Sequence, residues 1–192
     1  MNYYCLIAGL PEIHAEDLKI STSLFELKNE LMEQLSAADA DLMKLVFAKY
    51  DNVNFLTYLD NKDADLNKLG NLNTADWEQL ITLLQEVENP KDSRLLPYYQ
   101  VFYQKIGNEK TTDEGFSSED QLASLYFEYA MQNNNQFLSA WFEFNLNINN
   151  ILTATACRKH GFDQRNMVIG SNEIAIAIKN SNARDFGLAG VF

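Results

Sequence analysis

Cys157 and His160 stand three residues apart, a spacing that puts a thiol and an imidazole on one face of a helix. A nucleophile with its general base could be built on that pair, and a thiol-dependent hydrolase would follow. The simpler reading is a packed thiol beside a cationic helix end, because Lys159, His160 and Gly161 together make a basic last turn and a left-handed cap. Asp63, Asp65 and Asn67 open like a calcium loop, yet the sixth position is Lys68 where glycine makes the sharp turn. The twelfth is Thr74, where a bidentate Glu belongs, so the segment reads as a solvated acidic loop. His14 and His160 are the only two imidazoles and lie far apart in the sequence, outside any cluster of Cys and His, and no zinc site is expected. Glu26, Glu30 and Glu33 lie near one face of a helix, where an exposed acidic surface explains them better than an acid–base pair. Gly107, Gly115, Gly161 and Gly170 are isolated, so no phosphate-cradling loop exists. No catalytic group, metal or cofactor is expected.

What does recur is a polar pattern. Asp51-Asn52-Val53-Asn54-Phe55-Leu56-Thr57 is followed, at a constant offset of 96 residues, by Asn147-Ile148-Asn149-Asn150-Ile151-Leu152-Thr153. Each element falls late in an aromatic-rich segment, and a basic residue lies eight positions beyond its second Asn: Lys62 after Asn54, Arg158 after Asn150. A polar residue and an Asn three apart project from the same helical face. If that face is buried, the amides must find partners, because an unpaired buried amide costs roughly 1–3 kcal/mol. Asp51, Asn54, Asn147 and Asn150 are therefore expected to bond backbone groups at helix ends or turns. The alternative is that Asn147, Asn149 and Asn150 form a plain polar side of one helix.

The elements that must carry these residues are helices. Ser118 with Gln121 has capping-box spacing, and Leu122, Leu125, Tyr126 and Tyr129 recur at helical intervals. Phe137, Trp141, Phe144, Ile148, Ile151 and Thr155 continue the stripe, widened by Leu138, Phe142 and Leu146. Asn133-Asn134-Asn135 is a weak point where this stretch is either kinked into two helices or continuous. Ser21-Thr22-Ser23 offers caps for a helix to about Leu35, with Leu24, Leu27, Leu31 and Leu35 on one side. Ser36–Asp41 starts another, whose face carries Leu42, Leu45, Val46, Lys49, Tyr50, Val53 and Leu56 and which ends near Leu59. Thr74 caps a helix with Trp77, Leu80, Ile81 and Leu84 that stops before Asn89-Pro90. Pro97 suits the first turn of the next, faced by Tyr98, Val101, Phe102 and Ile106. Tyr3–Leu10 is a buried strand or a short helix, and Ile174, Ala175 and Ile178 mark a small-residue helix or a strand.

The fold class is all-α, a helical bundle of two pseudo-repeats: residues 1–106, a linker at 107–116 (within it Gly107–Gly115, GNEKTTDEG), and residues 117–192. A chain of 192 residues, 46% hydrophobic, can bury one good core or two modest ones. The net charge of −12 argues against sequence-independent nucleic-acid binding and against an electrostatic anchor on anionic lipid. No apolar run reaches the length of a membrane span, and the start lacks the basic flank of a secretion signal. Cys5 and Cys157 are expected as buried free thiols in a reducing, cytoplasmic setting.

Tyr3-Tyr4-Cys5-Leu6-Ile7-Ala8-Gly9-Leu10-Pro11, Tyr50-Asp51-Asn52-Val53-Asn54-Phe55-Leu56 and Ala183-Arg184-Asp185-Phe186-Gly187-Leu188 resemble a bacterial family of unknown function encoded among the genes of V/A-type rotary ATPases. The similarity spans nearly the whole chain, and the family's members continue past the equivalent of Phe192, implying a sequence truncated at its C-terminal end. The aromatic-Asp-x-x-Asn-Φ-Leu element also resembles the repeat unit of the C-type central-stalk subunit of those ATPases, called the d-type in eukaryotes. By that likeness Asp51, Asn54 and Lys62 form one copy and Asn147, Asn150 and Arg158 a second, which departs in having Asn147 for the acid. In both copies the base falls later than in the family, and there is no visible third copy. The C-type protein is a non-catalytic helical funnel between the membrane rotor ring and the central shaft. The resemblance thus implies the ring and the shaft as partners and a cytoplasmic position peripheral to the inner membrane, without membrane insertion. An independent adaptor holding a partner helix in a groove lined by Phe137 and Trp141 is the other expectation.

Overall fold

The computed structural model describes residues 3–13, 16, 22–107 and 116–188. His14, Ser21, Asn108–Gly115 and the last four residues lie outside these, and with them most of the expected linker. Among the described residues all regular structure is helical: α1 (Tyr4–Ala8), α2 (Leu24–Gln34), α3 (Ala37–Asp60), α4 (Thr74–Glu86), α5 (Pro97–Gly107), α6 (Ser118–Met131), α7 (Gln136–His160) and α8 (Glu173–Asn180), with a 3-10 turn at Gln164–Asn166. The protein is all-α. By compactness it divides into Met1–Ala75 and Asp76–Phe192, a different place from the expected boundary at 107–116. The aromatic side chains of α5 explain why it belongs with the second unit.

In the first unit, local chemistry sets the helix starts. The Ser23 hydroxyl accepts from the Glu26 N–H at 3.1 Å while the Glu26 carboxylate accepts from the Ser23 N–H at 3.1 Å, a complete capping box. Ser36 caps α3 by accepting from the Asp39 N–H at 3.2 Å. The Tyr3 hydroxyl bonds the Asp39 carboxylate and accepts from the Ser36 N–H at 2.9 Å, tying the residue before α1 to the start of α3.

Two expectations need correcting here. Tyr3–Leu10 holds a short helix over Tyr4–Ala8, one of the two forms expected, but the burial expected of it is absent: α1 buries no residue and Cys5 is exposed. Five residues make little more than one turn, and what holds them is a polar bond, so only Cys157 is the buried thiol expected. The buried face of α3 is also rotated: Leu45, Phe47, Ala48, Asp51, Asn52, Asn54, Phe55 and Tyr58 are inside, while Val53 is 55% exposed. The polar pair is inside because a loop waits there to bond it.

The second unit is built on aromatics. Trp77 of α4 meets Tyr99 of α5 edge-on at 5.3 Å, and Tyr98 lies 5.9 Å from Tyr126 and 5.7 Å from Tyr129 of α6. Tyr126 in turn meets Phe142 of α7 at 5.5 Å. Such pairs add about 0.5–1.5 kcal/mol each beyond the area they bury. Ser117, one residue before the expected cap, accepts from the Asp120 N–H at 3.1 Å and starts α6. The chain does break at the asparagine run: Asn135 caps α7 by accepting from the Leu138 N–H at 3.1 Å, and the Ser139 hydroxyl donates to the Met131 carbonyl at 2.6 Å. Gly161 ends α7 at φ +74°, a conformation that costs glycine nothing.

α7 buries Leu138, Phe142, Leu146, Asn147, Asn150, Ala154 and Cys157. The stripe expected to face the core, Phe137, Trp141, Phe144 and Ile148, is exposed instead. Leu138, Phe142 and Leu146, read as its widening, are the true core face, since α6 and α8 pack on that side. Beyond α7, Ala154, Val168, Ala175, Ile178, Phe186 and Leu188 form a small cluster of their own.

Candidate functional site

The recurring element makes the same bond twice. In the first unit Asn54, 1% exposed, accepts from the Asn67 N–H at 2.7 Å and donates to the Asn67 carbonyl at 3.0 Å. In the second Asn150, 2% exposed, accepts from the Ile169 N–H at 3.1 Å and donates to the Ile169 carbonyl at 2.8 Å. Each side-chain amide thus mimics a strand and clamps both backbone groups of one loop residue. That satisfies donor and acceptor together, and the expected bonding of these amides to backbone is what the geometry gives.

The partner three residues earlier completes each site differently. One Asp51 oxygen accepts from the Asn71 and Leu72 N–H groups at 2.6 and 3.0 Å, and the other from the Asn71 side-chain amide at 2.6 Å. Asn147 accepts from the Asn172 amide at 2.8 Å, and Asn172 caps α8 by accepting from the Ala175 N–H at 2.9 Å. Burial pushes the Asp51 carboxyl up from its usual 3.8 to about 6, against the pull of those hydrogen bonds and of the Lys28 charge.

A lysine reaches each loop as well. Lys28, only 6% exposed, donates to the Leu69 and Gly70 carbonyls at 2.8 Å and lies 4.8 Å over the Phe47 ring. Lys179 donates to the Gly170 carbonyl at 2.8 Å. Burial lowers the pKa of both, offset for Lys28 by Asp51. Gly70 has no room for a side chain. A β-carbon there would stand inside van der Waals reach of the Asn54 amide nitrogen and 2.8 Å from an Asp51 oxygen. Gly170 sits at φ +83°, where a β-carbon would meet Leu146 at 3.0 Å.

Of the six residues singled out in the sequence, Asp51 and Asn54 share one site, and Asn147 and Asn150 the other. Lys62 is exposed in the turn after α3 and is not among the side chains that hold its loop. Arg158 does different work: its guanidinium donates to the Ser181 and Ala183 carbonyls at 2.9 and 2.6 Å and lies 3.8 Å over the Phe186 ring, pinning the segment after α8. The residues missed were Lys28, Asn71, Asn172 and Lys179. An apolar residue, a glycine and a nearby Asn just before a helix, Leu69-Gly70-Asn71 and Ile169-Gly170-Ser171-Asn172, was the signal that could have found the loops.

Elsewhere the candidate chemistry does not assemble. Cys157 is 3% exposed while His160 lies in the exposed last turn, so that thiol offers no substrate an approach. Asp63 and Asp65 are exposed, and Asn67 is engaged by Asn54. Among the described residues no three of His, Cys, Asp and Glu gather closely enough to hold a metal ion. None of the described helices is long and apolar enough to cross a membrane.

Fold and site together define an all-helical protein of two compact units whose conspicuous polar groups hold its own loops. The particular family follows from a match over residues 1–192: the chain belongs to the family described as "Protein of unknown function (DUF2764)". No curated protein and no solved structure matches it.

Proposed function

We propose that the protein is a non-catalytic component or accessory factor of a V/A-type rotary ATPase, similar to the C-type central-stalk funnel, linking the central shaft to the membrane rotor ring from the cytoplasmic side. One observation carries the reading. The Asp/Asn element that resembles the funnel's repeat is a buried structural device in both copies, each Asn clamping the loop that leads into the next helix. An all-helical body fits a part that transmits force between other proteins, because packed helices are stiff on the length scale of a domain. The test is purification of the rotary complex from the source cells through a tag on one of its ATP-hydrolysing proteins. This protein should be present in it, and a complex containing an ordinary C-type funnel without this protein overturns the reading. An adaptor that holds a partner helix outside such a complex is the second reading, favoured by the outward apolar stripe of α7.

A further inference from the structure

Two cations of the second unit carry a charge that no carboxylate answers. Arg158, near the end of α7, donates to the Gln164 side-chain oxygen at 3.2 Å and to the Ser181 and Ala183 carbonyls, all of them neutral. Its Nη2 makes one of the two bonds it can make. Lys179, on α8, donates to the Gly170 carbonyl at 2.8 Å and so uses one of its three N–H groups. A carbonyl accepts the hydrogen bond and leaves the charge standing. Among the described residues neither cation forms an ion pair; the pairs belong to Lys44, Arg94 and Arg165.

The first unit shows the contrast. Lys28 reaches its loop in the same manner, and there the Asp51 carboxylate raises its pKa against the burial that lowers it. At the repeat position of Asp51 the second unit has Asn147. Burial lowers the Lys179 pKa with no carboxylate to oppose it. The second site thus has the lysine without the acid.

Both cations line one cleft of about 480 Å³, beside the end of α7, the 3-10 turn and the end of α8. Among the described residues lining it the one carboxylate is Asp163, and both its oxygens accept from Arg165, at 2.7–3.1 Å. Those two charges cancel, and Arg158 and Lys179 remain. From Arg158 to Arg184 the chain carries five Lys or Arg against Asp163 and Glu173, in a protein of net charge −12. A cleft of one sign with low-dielectric walls gathers ions of the other sign.

We infer that the cleft binds a small phosphomonoester, its phosphate held by Lys179 and Arg158 and its organic body against the ring of Phe162. A phosphate ester carries about −1.5 to −2 charges at neutral pH and three acceptor oxygens, which suits two cations better than the single charge of a carboxylate. The volume is within the range of small-molecule pockets and exceeds what a bare phosphate fills. Phe162, 63% exposed in the lining, supplies the apolar wall. The inference is independent of the rotary complex, since every group it uses lies within the second unit.

The experiment titrates the full chain calorimetrically with phenyl phosphate, inorganic phosphate and benzoate, all at one ionic strength so that screening is constant. Phenyl phosphate should bind in the millimolar range or tighter. Inorganic phosphate should bind several-fold more weakly because it leaves Phe162 uncovered, and benzoate more weakly than phenyl phosphate because it brings one charge. Lys179→Met should weaken phenyl phosphate binding about tenfold or more, as expected for losing a bond to a charged group. Lys159→Met, the same change of charge outside the lining, should bind as the parent does. Asp163→Asn acts in the opposite direction: it releases the exposed Arg165 guanidinium to the ligand and should tighten binding about two- to fivefold. No binding of phenyl phosphate at about 10 mM overturns the inference. So does benzoate bound as tightly, a Lys179→Met effect no larger than that of Lys159→Met, or weaker binding by Asp163→Asn. Inorganic phosphate bound as tightly as phenyl phosphate overturns it as well, because the organic body would then contribute nothing.

Discussion

Replacing Asp51 by Asn should flatten the dependence of stability on pH, and the size of the change follows from the site. Asp51 is 3% exposed, and burial lifts its carboxyl from 3.8 to about 6 even though three hydrogen bonds and Lys28 favour the charged form. The folded state therefore holds this proton more tightly than the unfolded chain. Stability from protonation is complete below about pH 3.8, and it is lost as pH rises through about 6. At 1.36 kcal/mol per pH unit the whole effect is about 3 kcal/mol, of which about 1.4 kcal/mol is gained between pH 7.5 and pH 5. For a chain of this size that is roughly 3–6 °C in Tm. The window matters. The carboxylates held below their usual range by hydrogen bonds, Glu26, Asp39, Asp92 and Asp163, lose their stabilisation only as pH falls below the unfolded values near 4. Thermal melts at about 0.15 M salt, where surface charges are screened, across pH 5–7.5 should show the parent becoming more stable on acidification and the Asp51→Asn variant following only the shared background. Parallel curves for the two proteins would refute the reasoning, as would a parent that loses stability relative to the variant on acidification. Lys28→Met supplies a further check: without the nearby cation the midpoint of the parent-minus-variant curve should move to higher pH.

Asn54→Ala and Asn150→Ala each remove two bonds and leave a loop N–H and carbonyl without their partner, so each should cost about 2–4 kcal/mol by denaturant titration; unchanged midpoints would discount the structural role. Gly70→Ala should destabilise by about 1–3 kcal/mol through collision with two buried polar groups, and amide exchange should quicken at 67–72 before it does elsewhere. Gly170→Ala should cost about 1–2 kcal/mol from its positive φ plus whatever Leu146 must yield. Thiol titration of the native protein should modify Cys5 at once and Cys157 only on unfolding; fast labelling of both would reopen a chemical role for Cys157.

Helix existence was legible because capping and breaking residues act locally. Ser23, Ser36, Pro97 and Gly161 do in the fold what their types dictate. Helix faces were less legible. In α7 two apolar stripes compete, Phe137-Trp141-Phe144-Ile148 and Leu138-Phe142-Leu146, and the larger side chains favour the wrong one. What decides is the neighbour, Tyr126 of α6, and a one-dimensional pattern does not contain it. The same limit applies to the clamps. Asn54 and Asn150 could be picked out by spacing, but Lys28 lies in an earlier helix than its loop and Lys179 in a later one. No common offset links the two lysines to the repeated element, so they were found only in three dimensions.

Because Asn54 and Asn150 grip main-chain atoms, they are indifferent to what side chain the gripped residue bears: it is Asn67 in one loop and Ile169 in the other, 13 and 19 positions downstream. Such an anchor tolerates substitution and insertion in the segment it secures, provided that in the first loop Gly70 keeps the space beside Asn54 open and in the second Gly170 keeps clear of Leu146. Drift in those segments can therefore erase any textual likeness between the two sites while leaving the anchorage untouched. Searches for kin of this protein should weight the Asn and the glycine and treat the letters between them as nearly free.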